Sequence, residues 1–270
     1  MIVALVIQMM MMMMMMVIII AVVAAADNCN SINNINNVPC IDIKSCDSSN
    51  DKATIMINKL SDGKGESLSS SSIALCYDND GLNINVEAYN QLYYNGMYSH
   101  CNDAIFNLDV NEVFIAPNVD DSDPYCYNEI DISPTNVMYE AGIYNKNLNH
   151  TGLVNKLYDC SSSGIIHESQ LDLSKAMWLS KLRIPWSVIH CPLGCPLSSY
   201  EASCKDHDNY GKIHNIYRAN FYRINEIVST NTCSSGYSSP QTCEYNAWSP
   251  TNVYPPSFHE PKQFGYLVLV

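Results

Sequence analysis

The stretch Ser72-Ile73-Ala74-Leu75-Cys76-Tyr77, Asp78-Asn79-Asp80-Gly81, Leu82-Asn83-Ile84-Asn85-Val86-Glu87-Ala88 constrains the fold more than any other part of the chain. Its last third alternates apolar and polar residues with period two, the repeat of a strand with one covered face. The four residues in the middle are turn formers, so the whole reads as a β-hairpin. Further strands are predicted over 110–116, 125–132, 176–184, 216–224 and 264–270, whereas amphipathic helical patterns are nearly absent. The economical architecture is therefore all-β, an antiparallel β-sandwich or jelly roll. In the final run Phe264, Tyr266, Val268 and Val270 share one face while Leu267 and Leu269 share the other, so this strand must lie inside a sheet or be covered. The polar run 69–72 reads as a loop tip, and the Asn-rich run 28–37 as a disordered lead.

Residues 2–23 are apolar apart from Gln8 and lead into Ala24-Ala25-Ala26, the pattern of a secretory core with a small-residue cleavage site. No Lys or Arg precedes the run, and its length also suits an uncleaved anchor. Both readings put the remainder outside the cytosol. Twelve cysteines follow, an even number in a secreted chain, which predicts a disulfide framework of undetermined connectivity. Cys191, Cys195, Cys204 and His207 fit no zinc-ligand spacing, and no metal site is assigned. Asn149-His150-Thr151 is an N-glycosylation sequon in an Asn-rich surface stretch. The expected organisation is a leader at 1–26, an Asn- and Cys-rich lead at 27–52 and one β-sandwich at 53–270. A net charge of −13 disfavours nucleic acid and anionic membranes, leaving no membrane contact beyond the leader, and does not oppose a neutral ligand.

Several separated segments, read in order, resemble a family 9 carbohydrate-binding module. They are Leu75-Cys76-Tyr77-Asp78-Asn79-Asp80-Gly81-Leu82, Phe106-Asn107-Leu108-Asp109-Val110-Asn111-Glu112-Val113-Phe114-Ile115, and Trp178 ahead of Ile184-Pro185-Trp186. Asn220-Phe221-Tyr222-Arg223-Ile224, Ala247-Trp248-Ser249-Pro250-Thr251, Phe258-His259-Glu260-Pro261 and Phe264-Gly265 continue the series, which spans about residues 70 to 270. The resemblance implies a β-sandwich that grips a sugar between two aromatic rings, with structural calcium in some members and no other cofactor. The family's ring positions are Phe106 and Phe258 here. Both are tryptophan in the family's sugar-binding pattern, so phenylalanine means less stacking area and no indole N–H. Lys181 stands where the family often has an acid, which puts any inherited role there in doubt.

Sugar rings expose C–H faces that stack on aromatics, and hydroxyls that need polar partners. Phe106, Phe258, His259, Glu260 and Arg223 are the expected carbohydrate-binding residues. Asp109 and Glu112 are three apart on a strand, so they face opposite ways and cannot flank one glycosidic bond. Glu112 is instead expected to form a buried ion pair with Arg223. The acid clusters Asp78-Asn79-Asp80 and Asp120-Asp121-Ser122-Asp123 offer oxygen ligands for calcium, although such runs are more often solvated turns. Nucleophile-elbow, zincin and phosphate-loop motifs are absent from the sequence. The expected function is a secreted, non-catalytic protein that binds polysaccharide or oligosaccharide. The rivals are a structural or adhesive sandwich without sugar binding, and a glycoside hydrolase.

Overall fold

The computed structural model describes residues 29–32, 37–48, 52–94, 96–117, 123–189, 215–227, 233 and 242–270. The leader, the Cys191, Cys195, Cys204 and His207 group and the acids Asp120 and Asp121 lie outside the described residues. Thirteen strands are named among those that are described. They are β1 (Cys40–Ile43), β2 (Ala53–Leu60), β3 (Glu66–Tyr77), β4 (Gly81–Tyr89), β5 (Val110–Pro117), β6 (Cys126–Ile132) and β7 (Met138–Asn145). Then come β8 (Leu153–Leu157), β9 (Ile166–Asp172), β10 (Met177–Pro185), β11 (Ile216–Glu226), β12 (Cys243–Ala247) and β13 (Gly265–Leu269).

Hydrogen bonding runs in one path, β8-β7-β6-β5-β11-β12-β2-β3-β4-β10-β9. The long β11 pairs with β5 along one edge and, along the other, with β13 through its first half and β12 through its second. Only Asn246 and Ala247 of β12 register with β2, so the path is thinnest there and folds over. The two halves pack face to face: Val113, Ile115, Ile130 and Phe221 from one meet Ile73, Ile84, Trp178 and Ile184 from the other in a continuous core. The expected antiparallel β-sandwich is the fold.

The predicted hairpin is β3 and β4. The Asp78 carboxylate accepts from the Asp80 and Gly81 amides and closes the turn. A Cβ on Gly81 would lie 2.4 Å from the Ile184 carbonyl oxygen, so only glycine lets β10 approach here. Arg183 donates to both Asp78 and Asp80, at 3.1 and 3.0 Å. The candidate calcium ligands in this turn thus already have a cation.

The closing strand β13 is internal, flanked by β11 and, in parallel, by β1. Cys40–Ile43, assigned from sequence to the lead, is thereby part of the sheet. A short helix, α1 (Cys29–Ile32), covers Tyr266 and Val268 from within the run expected to be disordered, and the Cys29–Cys40 disulfide fastens it. Pro39's carbonyl and the Trp248 ring come so close to Gly265 that a Cβ would lie 2.6 Å from each. Further disulfides join Cys46–Cys76, Cys101–Cys160 and Cys233–Cys243. Trp178, fully buried, donates its indole N–H to Ser169 and is structural.

The run 69–72 is not a loop tip. It lies inside β3, with Ser69 and Ser71 buried. Polar side chains of β11 and β12 make this possible. The Glu244 carboxylate accepts from the Leu68 and Ser69 amides, Asn225 donates to Ser69 Oγ, and Asn246 and Arg223 donate to the Ser69 carbonyl. Burial of a polar strand costs little when each group has a partner.

Candidate functional site

The outer face of the β5–β6–β7–β11 layer carries a second cluster of side chains, roofed by loops rather than by a sheet. Pairing register aligns Glu112 of β5 with Asp131 of β6 and Tyr222 of β11, and Phe114 with Glu129. Because directly paired residues share a face, Glu112, Phe114, Glu129, Asp131, Tyr139 and Tyr222 all point to this side. A cavity of about 340 Å³ opens above them.

Phe106 and Phe258 both line that cavity. Phe106 sits on a 3-10 turn, Ile105–Asn107, whose Asn107 carbonyl accepts from the Cys233 amide. Its ring, half buried, meets Tyr139 edge-on with centroids 5.3 Å apart. Phe258 is only 7 % exposed and stacks on Tyr222 at 4.1 Å and 8°. The sheet pins its loop through the backbone. Tyr222 donates its hydroxyl to the Phe258 carbonyl at 2.9 Å, and Asn145 donates to the His259 carbonyl at 3.2 Å. Tyr222→Phe is expected to cost about 1 kcal/mol of stability and to speed amide exchange in the 258–263 loop, read by hydrogen-exchange mass spectrometry.

His259 lines the cavity too. Asn145 donates to the Tyr127 hydroxyl, whose oxygen lies 2.9 Å from His259 Nδ1; with the phenol proton in that bond the ring carries its proton on Nε2. That nitrogen lies 3.9 Å from Glu129. Burial, together with the neighbouring His150, pulls the His259 pKa down to about 4, so the ring is neutral near pH 7. Glu260 turns away: its carboxylate meets His150 Nδ1 at 3.0 Å and does not line the cavity.

Arg223 is not at this site. Register sets it against Asn111, one residue from the Tyr222–Glu112 pair, and a one-residue step reverses the face. Fully buried on the sandwich side, it donates to the carbonyls of Ser69, Ser70 and Tyr89 and to Gln91 and Asn225. Burial lowers its pKa to about 10, and the guanidinium stays charged. The expected Glu112–Arg223 ion pair is therefore not formed. Asp109, on Arg223's side, accepts from Gln91 and the Glu226 amide, which confirms that Asp109 and Glu112 face opposite ways.

Glu112 has other company. One carboxylate oxygen each from Glu112, Glu129 and Asp131 lie within 4.8 Å of one another, the only such acid group among the described residues. Glu112 Oε1 and both Asp131 oxygens are buried without a hydrogen-bond partner. Burial, then repulsion from Glu129, pushes the Glu112 pKa well up, and burial alone takes Glu129 to about 8. Asp131 rises for the same reasons, burial first and then both glutamates. Glu112 and Glu129 line the cavity floor, and no Lys or Arg is among the lining residues described. Glu129, Asp131 and Tyr139 were not expected from sequence. The available signal was Tyr127-x-Glu129-x-Asp131, which puts two acids and a tyrosine on one face of a predicted strand.

Asn149 lies half exposed in the β7–β8 turn, where its side-chain oxygen accepts from the Thr151 amide and hydroxyl. Lys181, at the family's acidic position, is exposed and pairs with Glu168.

These features define an all-β sandwich with an aromatic-walled, acid-floored cavity on one outer face. No family model matches the chain. Its fold is that of a family 9 carbohydrate-binding module from Caldicellulosiruptor kristjanssonii solved with glucose: TM-score 0.50, 13 % identity, over 86 % of this chain and 96 % of that one. A candidate carbohydrate-binding protein from Bacteroides uniformis superposes with TM-score 0.59 at 15 % identity, over 86 % and 99 %. In sequence the chain is 31 % identical over 127 residues to an "Extracellular protein" of Arthroderma benhamiae, covering 44 % of this chain and 54 % of that one. The chain thus spans about half the length of this curated relative. Among the described residues no helix is long and apolar enough to cross a membrane.

Proposed function

We propose that this is a secreted, non-catalytic carbohydrate-binding protein that holds a sugar in the cavity between Phe106 and Phe258. The observation that carries the reading is that these two rings, far apart in sequence, line one cavity. Apolar ring faces and a small number of polar groups are what a pyranose requires. The glucose bound by the family 9 module of the same fold and the extracellular relative are consistent with it. In this reading His259 donates through Nε2 to a sugar hydroxyl, while Arg223 and Glu260 are structural. Asn149 carries an N-glycan, expected to appear as a mass shift on enzymatic deglycosylation of the secreted chain.

The test is retention on insoluble polysaccharides and a glycan array. Phe106→Ala is expected to weaken retention by about tenfold to a hundredfold, the loss of one half-buried aromatic contact. Phe106 is the better probe, because truncating the buried Phe258 would cost about 3–5 kcal/mol of stability. Retention unaffected by Phe106→Ala contradicts the site.

A glycoside hydrolase is disfavoured, although Glu112 and Glu129 share the cavity floor. That chemistry needs one carboxylate ionised while the other holds a proton. Here burial raises both, and no Lys or Arg among the described lining residues keeps one ionised. Release of reducing ends from any retained polysaccharide would overturn the non-catalytic reading.

A further inference from the structure

The cavity floor asks for more than a neutral sugar. A pyranose hydroxyl is met by one acceptor or by a mixture of donors and acceptors, whereas here two carboxyl groups line the floor and a third, Asp131, lies within 4.8 Å of both. Asp131, fully buried, has neither oxygen paired, and Glu112 has one buried oxygen unpaired. No lining Lys or Arg offsets them among the described residues, and His259 is neutral. Such a group lacks one cation with several donors.

We infer that the cavity takes a sugar bearing a free ammonium group, with the nitrogen seated against Glu112, Glu129 and Asp131 and the ring between Phe106 and Phe258. The inference rests on the carbohydrate-binding reading above and narrows its ligand class to amino sugars not acylated on nitrogen. Three oxygens no more than 4.8 Å apart share a central point no more than about 2.8 Å from each, within the reach of a charge-assisted N–H···O bond. An ammonium has three donors, one for each carboxyl. The surrounding rings of Phe106, Tyr139, Tyr245 and Phe258 present π faces and edges that tolerate a cation. A calcium ion would ask for about six to eight oxygens at roughly 2.3–2.6 Å, and much of the remaining wall is phenylalanine, isoleucine and leucine. An acyl group on nitrogen would remove the charge and force a carbonyl toward the acids.

The experiment is calorimetric titration of the full chain at neutral pH, with excess chelator, using the trisaccharides of glucosamine, N-acetylglucosamine and glucose. The glucosamine trisaccharide is expected to bind at least about tenfold more tightly than the other two. Glu112→Gln and Glu129→Gln, each shown by thermal melting to be folded, should abolish that preference while retaining weak binding of the glucose trisaccharide. Equal or tighter binding of a neutral trisaccharide, or a preference surviving both variants, overturns the amino-sugar inference and leaves the carbohydrate reading standing. Binding restored only when calcium replaces the chelator also overturns it, by putting a metal ion at the three acids. Failure to bind any of the three, together with no retention on the glycan array, overturns both readings.

Discussion

Arg223→Ala is expected to lower stability by about 3–5 kcal/mol or to prevent accumulation of folded chain, because it strips a buried charge and its donors from a buried polar network. The guanidinium joins β11 to the Ser69 and Ser70 carbonyls of β3 and the Tyr89 carbonyl of β4, and so ties the two halves of the sandwich at their polar end. Arg223→Lys should recover only part of the loss, since one ammonium cannot span the acceptors that Nη1 and Nη2 reach separately. The same variants in a Glu112→Gln background should be additive, because the two side chains lie on opposite faces. Denaturant melts of wild type, the three single variants and the two double variants measure this. A coupling energy above about 1 kcal/mol would restore the direct pair that sequence suggested.

The second large effect is a stability that falls as pH rises. A carboxyl with a higher pKa when folded than unfolded binds its proton more tightly in the native state. Its contribution is fully present below the ordinary carboxyl range and is lost as pH climbs through the folded value. For Glu129 that window runs from 4.5 to about 8, and Glu112 and Asp131 move in the same direction. Each tenfold gain in proton affinity on folding is worth about 1.4 kcal/mol, so the effect is on the order of a few kcal/mol. Glu129→Gln, neutral at every pH, should melt within about a degree of wild type near pH 4, below the ordinary carboxyl value, and several degrees above it near pH 9. Parallel melting curves at both pH values would mean that these acids already have a cation.

Strands with strong periodicity were legible: β4, β5, β6, β10, β11 and β13 fall where apolar alternation or long apolar runs predict them. The strands β1, β2, β7, β8, β9 and β12 were not, and the reason differs between them. In β8 (Leu153–Leu157) most residues are exposed, so no covered face imprints a pattern. In β12 (Cys243–Ala247) both faces are buried and one of them is polar, with Glu244 and Asn246 serving the Ser69 region. The serine run of β3 misled for the same reason: its partners lie some 150 to 180 positions away in sequence.

The candidate site divides along a similar line. Phe106 and Phe258 could be placed together through the family resemblance, and both line the cavity. Arg223 could not be placed, because alternation within β11 says which residues share a face but not which face meets Glu112. That depends on the register Tyr222–Glu112, set by packing between strands about a hundred residues apart. Glu129 and Asp131 were hidden because acids are ordinarily surface residues, a fair rule until a cavity supplies the reason for burying them.

The most direct test of the central claim is calorimetric titration of wild-type protein and Phe106→Ala with the glycan best retained on the array. One saturable site in wild type, weakened about tenfold or more in Phe106→Ala with the melting temperature little changed, is the predicted result. Equal affinity in the two proteins would contradict it and put the sugar, if one binds, outside the Phe106–Phe258 cavity.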